Sequence, residues 1–197
     1  MKKVIALLGI TILMFSCNVS KQVTGLYALT QCRYIFQSIT NLIIAGINMQ
    51  NVKNLSSLSP LDAANLLASF GSPNGSLPLS FTLNLDVTNP GVQTALMNGA
   101  NYILEIDGMQ MTQGSIDKQV QIASGKTVTM PITLGFDLKK MMSGQSLDAM
   151  KNMAFNLAGI GTSSSNLTVK LKPNLVVDNS VVSVPDYIPI SFTLNKK

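Results

Sequence analysis

Two acidic side chains stand two positions apart in a stretch that alternates like a β-strand. Glu105 and Asp107 belong to the segment YILEIDG, residues 102–108, and strand alternation predicts that both point to one face, about 7 Å apart. Two carboxylates at that distance could hold Ca²⁺ or divide acid and base roles in a hydrolase. The same spacing arises on the solvated outer face of any sheet, and we favour that interpretation.

The chain lacks the side chain on which most other catalytic and metal sites depend. It contains no histidine, which excludes Ser-His-Asp and Cys-His catalysis and the histidine-containing zinc sites. An S-x-x-K match at 115–118 has none of the companion motifs that a penicillin-binding site requires. We therefore expect a protein that is not an enzyme and that needs no cofactor or metal.

Charge is sparse along the whole chain. Only 12% of the residues are charged, and the net charge is +5. No stretch forms the basic stripe that a phosphate backbone needs, because Lys139–Lys140 and Lys196–Lys197 are isolated pairs. Nucleic-acid binding is not expected.

The amino terminus predicts a lipid anchor. Two lysines precede the uncharged run VIALLGITILMF, residues 4–15, which has the length of a signal h-region and is too short to span a bilayer. The following Ser16-Cys17 resembles the end of a bacterial lipobox. That resemblance implies a diacylglyceryl thioether on Cys17, cleavage before it, and acylation of the new amino terminus by a chain such as palmitate. We predict a signal peptide at 1–16 and a tether at 17–30.

The residues after Cys17 favour one membrane over another. Position 18 is asparagine, where aspartate would resemble an inner-membrane retention signal, and no acidic cluster follows. We expect the protein to be carried by the outer membrane and to face the periplasm. Once Cys17 carries lipid, Cys32 has no partner within the chain. Two interpretations of Cys32 remain, a buried small hydrophobe or a reactive thiol.

Alternation and turn chemistry predict the elements of a single domain at 31–197. The clearest strand is LSFTLNLDVT, in which Phe81, Leu83, Leu85 and Val87 share one face. Helices are expected at 60–70, capped by Ser59, and after Ser146. Other strands are predicted at CRYIFQSI and NLIIAGINM with a turn at Thr40-Asn41, and near residues 102–114, 119–123, 127–138, 167–173, 175–177, 181–184 and 187–194.

Closely spaced strands without intervening helices favour an antiparallel sandwich over a parallel α/β sheet. The predicted fold class is mainly β: an immunoglobulin- or fibronectin-III-like antiparallel β-sandwich of about seven to nine strands with one or two short helices inserted.

Three segments of the chain resemble one known family. LSFTLNLDVTNPG, YILEIDGMQMTQGSI and ASGKTVTMPITLGFDL are similar to the LEA14-like domain, the group-2 late embryogenesis abundant or water stress and hypersensitive response domain. In that pattern Asn89 and Pro90 form the corner where a strand ends, and Gly108 and Gly114 are turn or bulge positions of a hairpin. The resemblance implies a β-sandwich with one helix and a link to desiccation tolerance, and it brings no catalytic residues.

Three functions are compatible with these features. The first is a lipid-tethered, non-catalytic sandwich that binds a partner protein, a glycan or an apolar ligand, or that has a structural or stress-protective role. The second is a fibre or adhesin subunit, which would leave an edge strand unpaired in the monomer. The third, which we rank last, is a hydrolase that uses Glu105 and Asp107.

Overall fold

The chain folds mainly into antiparallel strands. The computed structural model describes residues 23–72, 75–177 and 180–194. The strands are β1 Arg33–Ile44, β2 Ile47–Asn48, β3 Pro78–Thr88, β4 Ala95–Met97, β5 Gly99–Ile106, β6 Met109–Ile116, β7 Val120–Ile122, β8 Thr127–Asp137, β9 Ser165–Val177, β10 Ser180–Ser183 and β11 Ile188–Leu194. The helices are α1 at 23–28, α2 Pro60–Gly71, α3 Leu138–Met141 and α4 Leu147–Leu157, with 3-10 turns at Leu29–Gln31 and Leu55–Ser57.

Two sheets form the sandwich. The first has the strand order β2-β1-β3-β8, and the second has the order β10-β9-β5-β6, with β11 also paired to β9. A small third sheet pairs β4 with β7. Every pairing is antiparallel, which confirms the predicted β-sandwich. The described ranges contain eleven strands rather than the predicted seven to nine, and the three-residue strand β4 has no counterpart in the prediction.

Strand β3 is the centre of the first sheet and shows how the core is built. Its burial alternates strictly, and Phe81, Leu83, Leu85 and Val87 are buried on the inner face. Each such side chain contributes about 1.5–3 kcal/mol when it is fully removed from water. Polar side chains fill the outer face, where Asn84 donates to Ser38 and Thr40 of β1.

The helices begin where the local signals place them. Ser59 accepts a hydrogen bond from the Asp62 backbone at the start of α2, and Ser146 accepts one from Ala149 at the start of α4, as N-cap residues do. Helix α3 was not predicted. None of the helices within the described ranges is both long and apolar enough to cross a membrane.

Asp137 ends β8 and caps α3. Its carboxylate accepts hydrogen bonds from Ser76 Oγ and from the backbone N–H groups of Leu77, Lys139 and Lys140. Burial raises the pKa of this carboxyl. The four hydrogen bonds together lower the pKa by more than burial raises it, so the pKa lies below its usual value. Because the folded-state pKa is depressed, this stabilisation is present above the unfolded pKa and is lost as the pH falls through the folded one.

The predicted turn at Thr40-Asn41 is wrong, because β1 continues through it. The register of β1 against β3 shifts between Phe36 and Ser38 and again between Thr40 and Ile43, which marks two bulges. Asn41 has φ 53°, so the second irregularity contains a residue in the left-handed region. The chain reverses instead at Ala45-Gly46, between β1 and β2.

The second half of the predicted tether is folded in the structure. Residues 23–28 form α1, and Leu26 and Leu29 are buried in the core of the sandwich. Gly25 packs so closely on the segment before β4 that an added Cβ would lie 2.9 Å from the Thr94 carbonyl oxygen. The folded body therefore includes residues 23–30 of the predicted tether, and residues 17–22 lie outside the described ranges.

Candidate functional site

An uncharged cleft opens at one side of the sandwich, between the two sheets. It lies between β1 of the first sheet, β11 of the second and the carboxyl end of α4, and its volume is about 330 Å³. This is near the lower limit of the volumes usual for small-molecule sites. The lining residues are Phe36, Gln37, Ser38, Ile39, Leu42, Gln50, Asn156, Leu157, Ala158, Gly159, Thr193 and Leu194.

Aromatic stacking holds the two sheets together beside the cleft. The rings of Phe36 on β1 and Phe192 on β11 lie 4.4 Å apart between centroids and are tilted by only 9°. Such offset-stacked pairs add about 0.5–1.5 kcal/mol to the burial of the rings. The apolar wall of the cleft is thus part of the join between the sheets, and it is expected to be well ordered.

Asn156 forms the polar end of the cleft. It lies on the buried face of α4, and its Nδ2 donates to Ser163 and Ser165, at 3.0 and 3.1 Å. Its Oδ1 is buried and has no hydrogen-bond partner among the residues that the structure describes. An unpaired buried carbonyl is costly, by about 1–3 kcal/mol. The Gly161 backbone packs against this oxygen, and a Cβ added to Gly161 would lie 1.8 Å from Oδ1.

A second depression adjoins the cleft beyond the end of α4. It shares Gln50, Ala158 and Gly159 with the cleft and is lined further by Asn51, Val52, Lys53, Ile160 and Gly161, with a volume of about 630 Å³. Among the residues that the structure describes, Lys53 is the one charged side chain along the two linings. The combined groove is therefore suited to a neutral ligand, because it places no counter-charge inside for an ionic one.

Asn89, predicted to shape a corner, is a fully buried hydrogen-bonding centre. Its Nδ2 donates to the carbonyls of Gln93 and Ile122, at 2.7 and 2.9 Å, and its Oδ1 accepts from Gly91 N. Its backbone N–H donates to the Lys126 carbonyl, and its own carbonyl accepts from Gly125. The corner is therefore tied to β7 and to the turn before β8.

Pro90 and Gly91 complete this corner. Pro90 is exposed and lacks an N–H, so β3 ends before it, at Thr88. A Cβ on Gly91 would lie 3.2 Å from Asn89 Oδ1, which is a tight contact. Glycine at 91 leaves room for this turn.

Gly108 and Gly114 occupy different kinds of position in the β5–β6 hairpin. Asp107 and Gly108 have φ of 50° and 80°, as a two-residue type I′ turn requires. Gly114 is neither turn nor bulge: it pairs with Tyr102 across the hairpin, and an added Cβ would lie 2.8 Å from the tyrosine hydroxyl. The glycine lets the Tyr102 ring cross over β6.

Glu105 and Asp107 have separate partners. Glu105 lies on β5 and forms an ion pair with Lys170 of β9, at 2.5 Å. Strand β5 ends at Ile106, so the alternation argument does not extend to Asp107, which lies in the turn and accepts from Asn166 N at 2.8 Å. No group of three potential metal ligands of the His, Cys, Asp and Glu types occurs within 23–72, 75–177 and 180–194.

We expect Glu105→Gln to lower the free energy of unfolding by about 0.5–1 kcal/mol, because it removes a half-buried ion pair. Chemical denaturation of Glu105→Gln, Lys170→Met and the double variant would isolate the coupling between the two side chains. Asp117→Asn, in the exposed β6–β7 connection, is the matched control. If the wild type, the two single variants and the double variant were equally stable, a structural role for the pair would be contradicted.

Of the two cysteines, the structure describes only Cys32. Cys17, the predicted lipidation site, lies outside the described residues. Cys32 is buried and unpaired by disulfide, and its Sγ donates to the Ala28 carbonyl, at 3.5 Å. Burial raises the pKa of this thiol, which keeps it protonated and weakly nucleophilic. These contacts favour the buried-hydrophobe interpretation over the reactive thiol.

Strand β1 forms an open edge of the first sheet. Outside its pairing with β3, it pairs only through Ile43 and Ile44, with β2, so 33–42 has no further strand partner in the described part of the chain. The two bulges in β1 interrupt this edge. Bulges of that kind hinder the addition of another strand, which weighs against the fibre-subunit alternative.

Sequence reasoning missed the cleft and Asn156. The signal was present but weak: a polar residue interrupts the buried face of α4, where Met153, Ala154 and Leu157 are apolar. Its meaning depends on Ser163 and Ser165, and on strands β1 and β11, which lie far away in the sequence. A cleft between elements so distant along the chain leaves no local pattern.

Comparison with known proteins gives structural neighbours only. No family model and no curated protein matches the sequence. A protein of Archaeoglobus fulgidus is similar with a TM-score of 0.37 and 13% identity, over 83% of this chain and 98% of that one. An Arabidopsis thaliana protein has a TM-score of 0.37 and 11% identity, over 62% and 71% of the two chains.

The similar structures include a protein described as late embryogenesis abundant (LEA). Its TM-score is 0.37 and its identity 9%, over 94% of this chain and 88% of that one. The assignment of the fold depends on the strand pairing described above.

Proposed function

We propose that this chain is a lipid-anchored protein of the cell envelope whose sandwich binds a neutral molecule in the cleft between β1, β11 and α4. The lipobox-like Ser16-Cys17 supports the anchor, and we place the protein on the outer membrane facing the periplasm. The observation that carries the binding role is the lining of the cleft, in which apolar side chains alternate with neutral amides and no described residue is charged.

The lining limits the chemistry of the ligand. Phe36, Leu42 and Leu157 provide an apolar surface, while Gln37 and Gln50 offer neutral hydrogen-bonding groups at the walls. This combination suits an apolar ligand, a glycan or an uncharged protein segment, and the described lining places no acid–base pair beside the hydroxyls of Ser38 and Thr193. We therefore propose a non-catalytic role, compatible with the structural or stress-protective role that the LEA14-like resemblance implies.

The test fills the cleft from two walls and uses the neutral dye Nile red as the probe. Ala158→Trp projects from the end of α4, and Gln37→Trp projects from β1, whereas Ala68→Trp on the exposed face of α2 is the control. We expect each filling variant to bind the dye at least about tenfold more weakly than the wild type, a difference of about 1.4 kcal/mol.

Two results would overturn the proposal. The first is a wild-type protein that does not bind the dye. The second is undiminished binding by both filling variants, checked to be folded by circular dichroism. The use of two variants on different elements separates loss of the cleft from local damage to either element.

A further inference from the structure

The end of the sandwich where the chain enters is distinct in composition. Arg33 of β1 pairs with Thr88 of β3, which pairs with Thr127 of β8, so these strand ends lie together with the Asn89 corner. Helix α1 packs on the segment 94–96, and Asn98 accepts a hydrogen bond from Val176 of β9. We call this the entry end, and it comprises α1, Arg33, the 89–94 turn, Lys126 and the β9–β10 residues Val176 and Val181.

Apolar side chains project into solvent from the entry end. Val92 is 87% exposed at the tip of its turn, and Val176 and Val181, a directly opposed pair of β9 and β10, are 51% and 68% exposed. Tyr27 of α1 is also exposed. Exposed aliphatic groups with a tyrosine beside them are typical of surfaces that lie in the headgroup region of a bilayer.

Charged side chains of both signs lie near the entry end. Arg33 and Lys126 are exposed there. Asp86 lies on β3 two residues before the strand ends at Thr88, and the sequence places Asp178 between β9 and β10. The adjoining β6–β7 connection adds one acid, Asp117, and one base, Lys118. The charges therefore nearly balance, so contact with a bilayer at this end depends on the exposed apolar groups.

The length of the chain before α1 restricts which end can meet a bilayer. Six residue steps separate Cys17 from residue 23, a reach of about 20 Å when fully extended. Strand β3 has 11 residues and spans about 35 Å. An anchor at Cys17 therefore holds the entry end near the lipid, and the opposite end cannot replace it there.

We propose that the entry end rests on the bilayer surface, with Val92 and its neighbours in the headgroup region and the α2–α4 end directed away. This proposal rests on the anchor of the proposed function. The occupant of this surface is lipid, because the short segment between Cys17 and residue 23 and the exposed apolar groups point to the same end.

The test uses the full, processed protein in vesicles of phosphatidylethanolamine and phosphatidylglycerol. An environment-sensitive NBD label is attached at Val92→Cys or, as the matched control, at Leu61→Cys, which is 70% exposed on α2. Cys32 is buried and does not compete for the label. With a headgroup spin-labelled phosphatidylcholine in the vesicles, we expect quenching at position 92 to exceed that at 61 by about twofold or more.

Two further measurements test the anchor independently of the quenching: flotation of the labelled protein with the vesicles, and its intact mass. Flotation with equal quenching at 92 and 61 would overturn the orientation and leave the anchor standing. Shielding of the label at 92 without quenching by lipid would place a protein, such as a second copy, on this surface and would also overturn the proposal. A protein that does not float, with Cys17 unmodified, would overturn the anchor and the orientation but not the binding role proposed for the cleft.

Discussion

Asn89→Ala is expected to lower the free energy of unfolding by about 2–4 kcal/mol, because it leaves two buried carbonyl groups without donors. The Nδ2 group of Asn89 supplies hydrogen bonds to the Gln93 and Ile122 carbonyls, and its Oδ1 accepts from Gly91 N. Water cannot replace these bonds without opening the corner, since the side chain is fully buried. Urea denaturation followed by far-ultraviolet circular dichroism measures the change.

The companion variant Asn89→Asp separates the donors from the acceptor. It keeps an oxygen for Gly91 N but directs a second oxygen at the two carbonyls, so we expect a loss at least as large as that for alanine. Asn101→Ala, at an exposed position of β5, is the control and should change stability by less than about 0.5 kcal/mol. A loss at Asn89 as small as the loss at Asn101 would show that the corner does not depend on this amide.

Elements whose signals are local could be predicted from the sequence. In β3, burial alternates residue by residue, so Phe81, Leu83 and Leu85 identify the inner face without knowledge of the partner strands. The caps Ser59 and Ser146 act on backbone N–H groups three residues away. Such signals hold because each of them is a short-range contact that the sequence itself displays.

Strand β1 could not be predicted correctly, because its irregularities are defined by another strand. A bulge exists only relative to the register of a neighbour, and the shifts at 36–38 and 40–43 appear only against β3. In the sequence, Thr40-Asn41 has the composition of a turn. Its place in the sheet decides otherwise, since the Asn41 backbone N–H is bound by the Gln50 side chain.

The candidate site could not be predicted from the sequence for the same reason. The Asn89 corner could be predicted in part. Asn89-Pro90 is a recognisable strand end, but the bond from Asn89 to Ile122 spans 33 positions. The cleft joins residues near 36–42, 156–159 and 193–194, and no local pattern records that proximity. Sequence reasoning therefore predicts the layers of this fold better than the gaps between them.

The two proposals place the cleft away from the membrane. Strand β1 begins at the entry end with Arg33 and runs toward the opposite end, where Leu42 lines the cleft together with the last residues of α4. A bilayer at the entry end would leave the mouth of the cleft open to the aqueous side. A ligand would then reach it from solution rather than by lateral diffusion within the lipid.

Cys17→Ser is expected to abolish acylation and to move the protein from the detergent-rich to the aqueous phase of a Triton X-114 partition. One acyl chain gives only marginal membrane binding, whereas two or three act together as a stable anchor, and the thioether on Cys17 would precede both cleavage and the final acylation. The apolar run at 4–15 is shorter than the ~20 residues that span a bilayer, so it does not replace the lipid. Intact mass before and after the substitution measures the modification directly.

Cys32→Ser is the matched control for the other thiol. Cys32 is buried in the folded body and donates to the Ala28 carbonyl, so its replacement should leave the mass of the lipid modification and the partition into detergent unchanged. A wild-type mass that corresponds to residues 1–197 without addition would contradict the anchor. In that case the short lipid-anchored segment between Cys17 and residue 23 would not exist, and the reason for a bilayer at the entry end would be lost. The uncharged cleft and its test with Nile red would be unaffected.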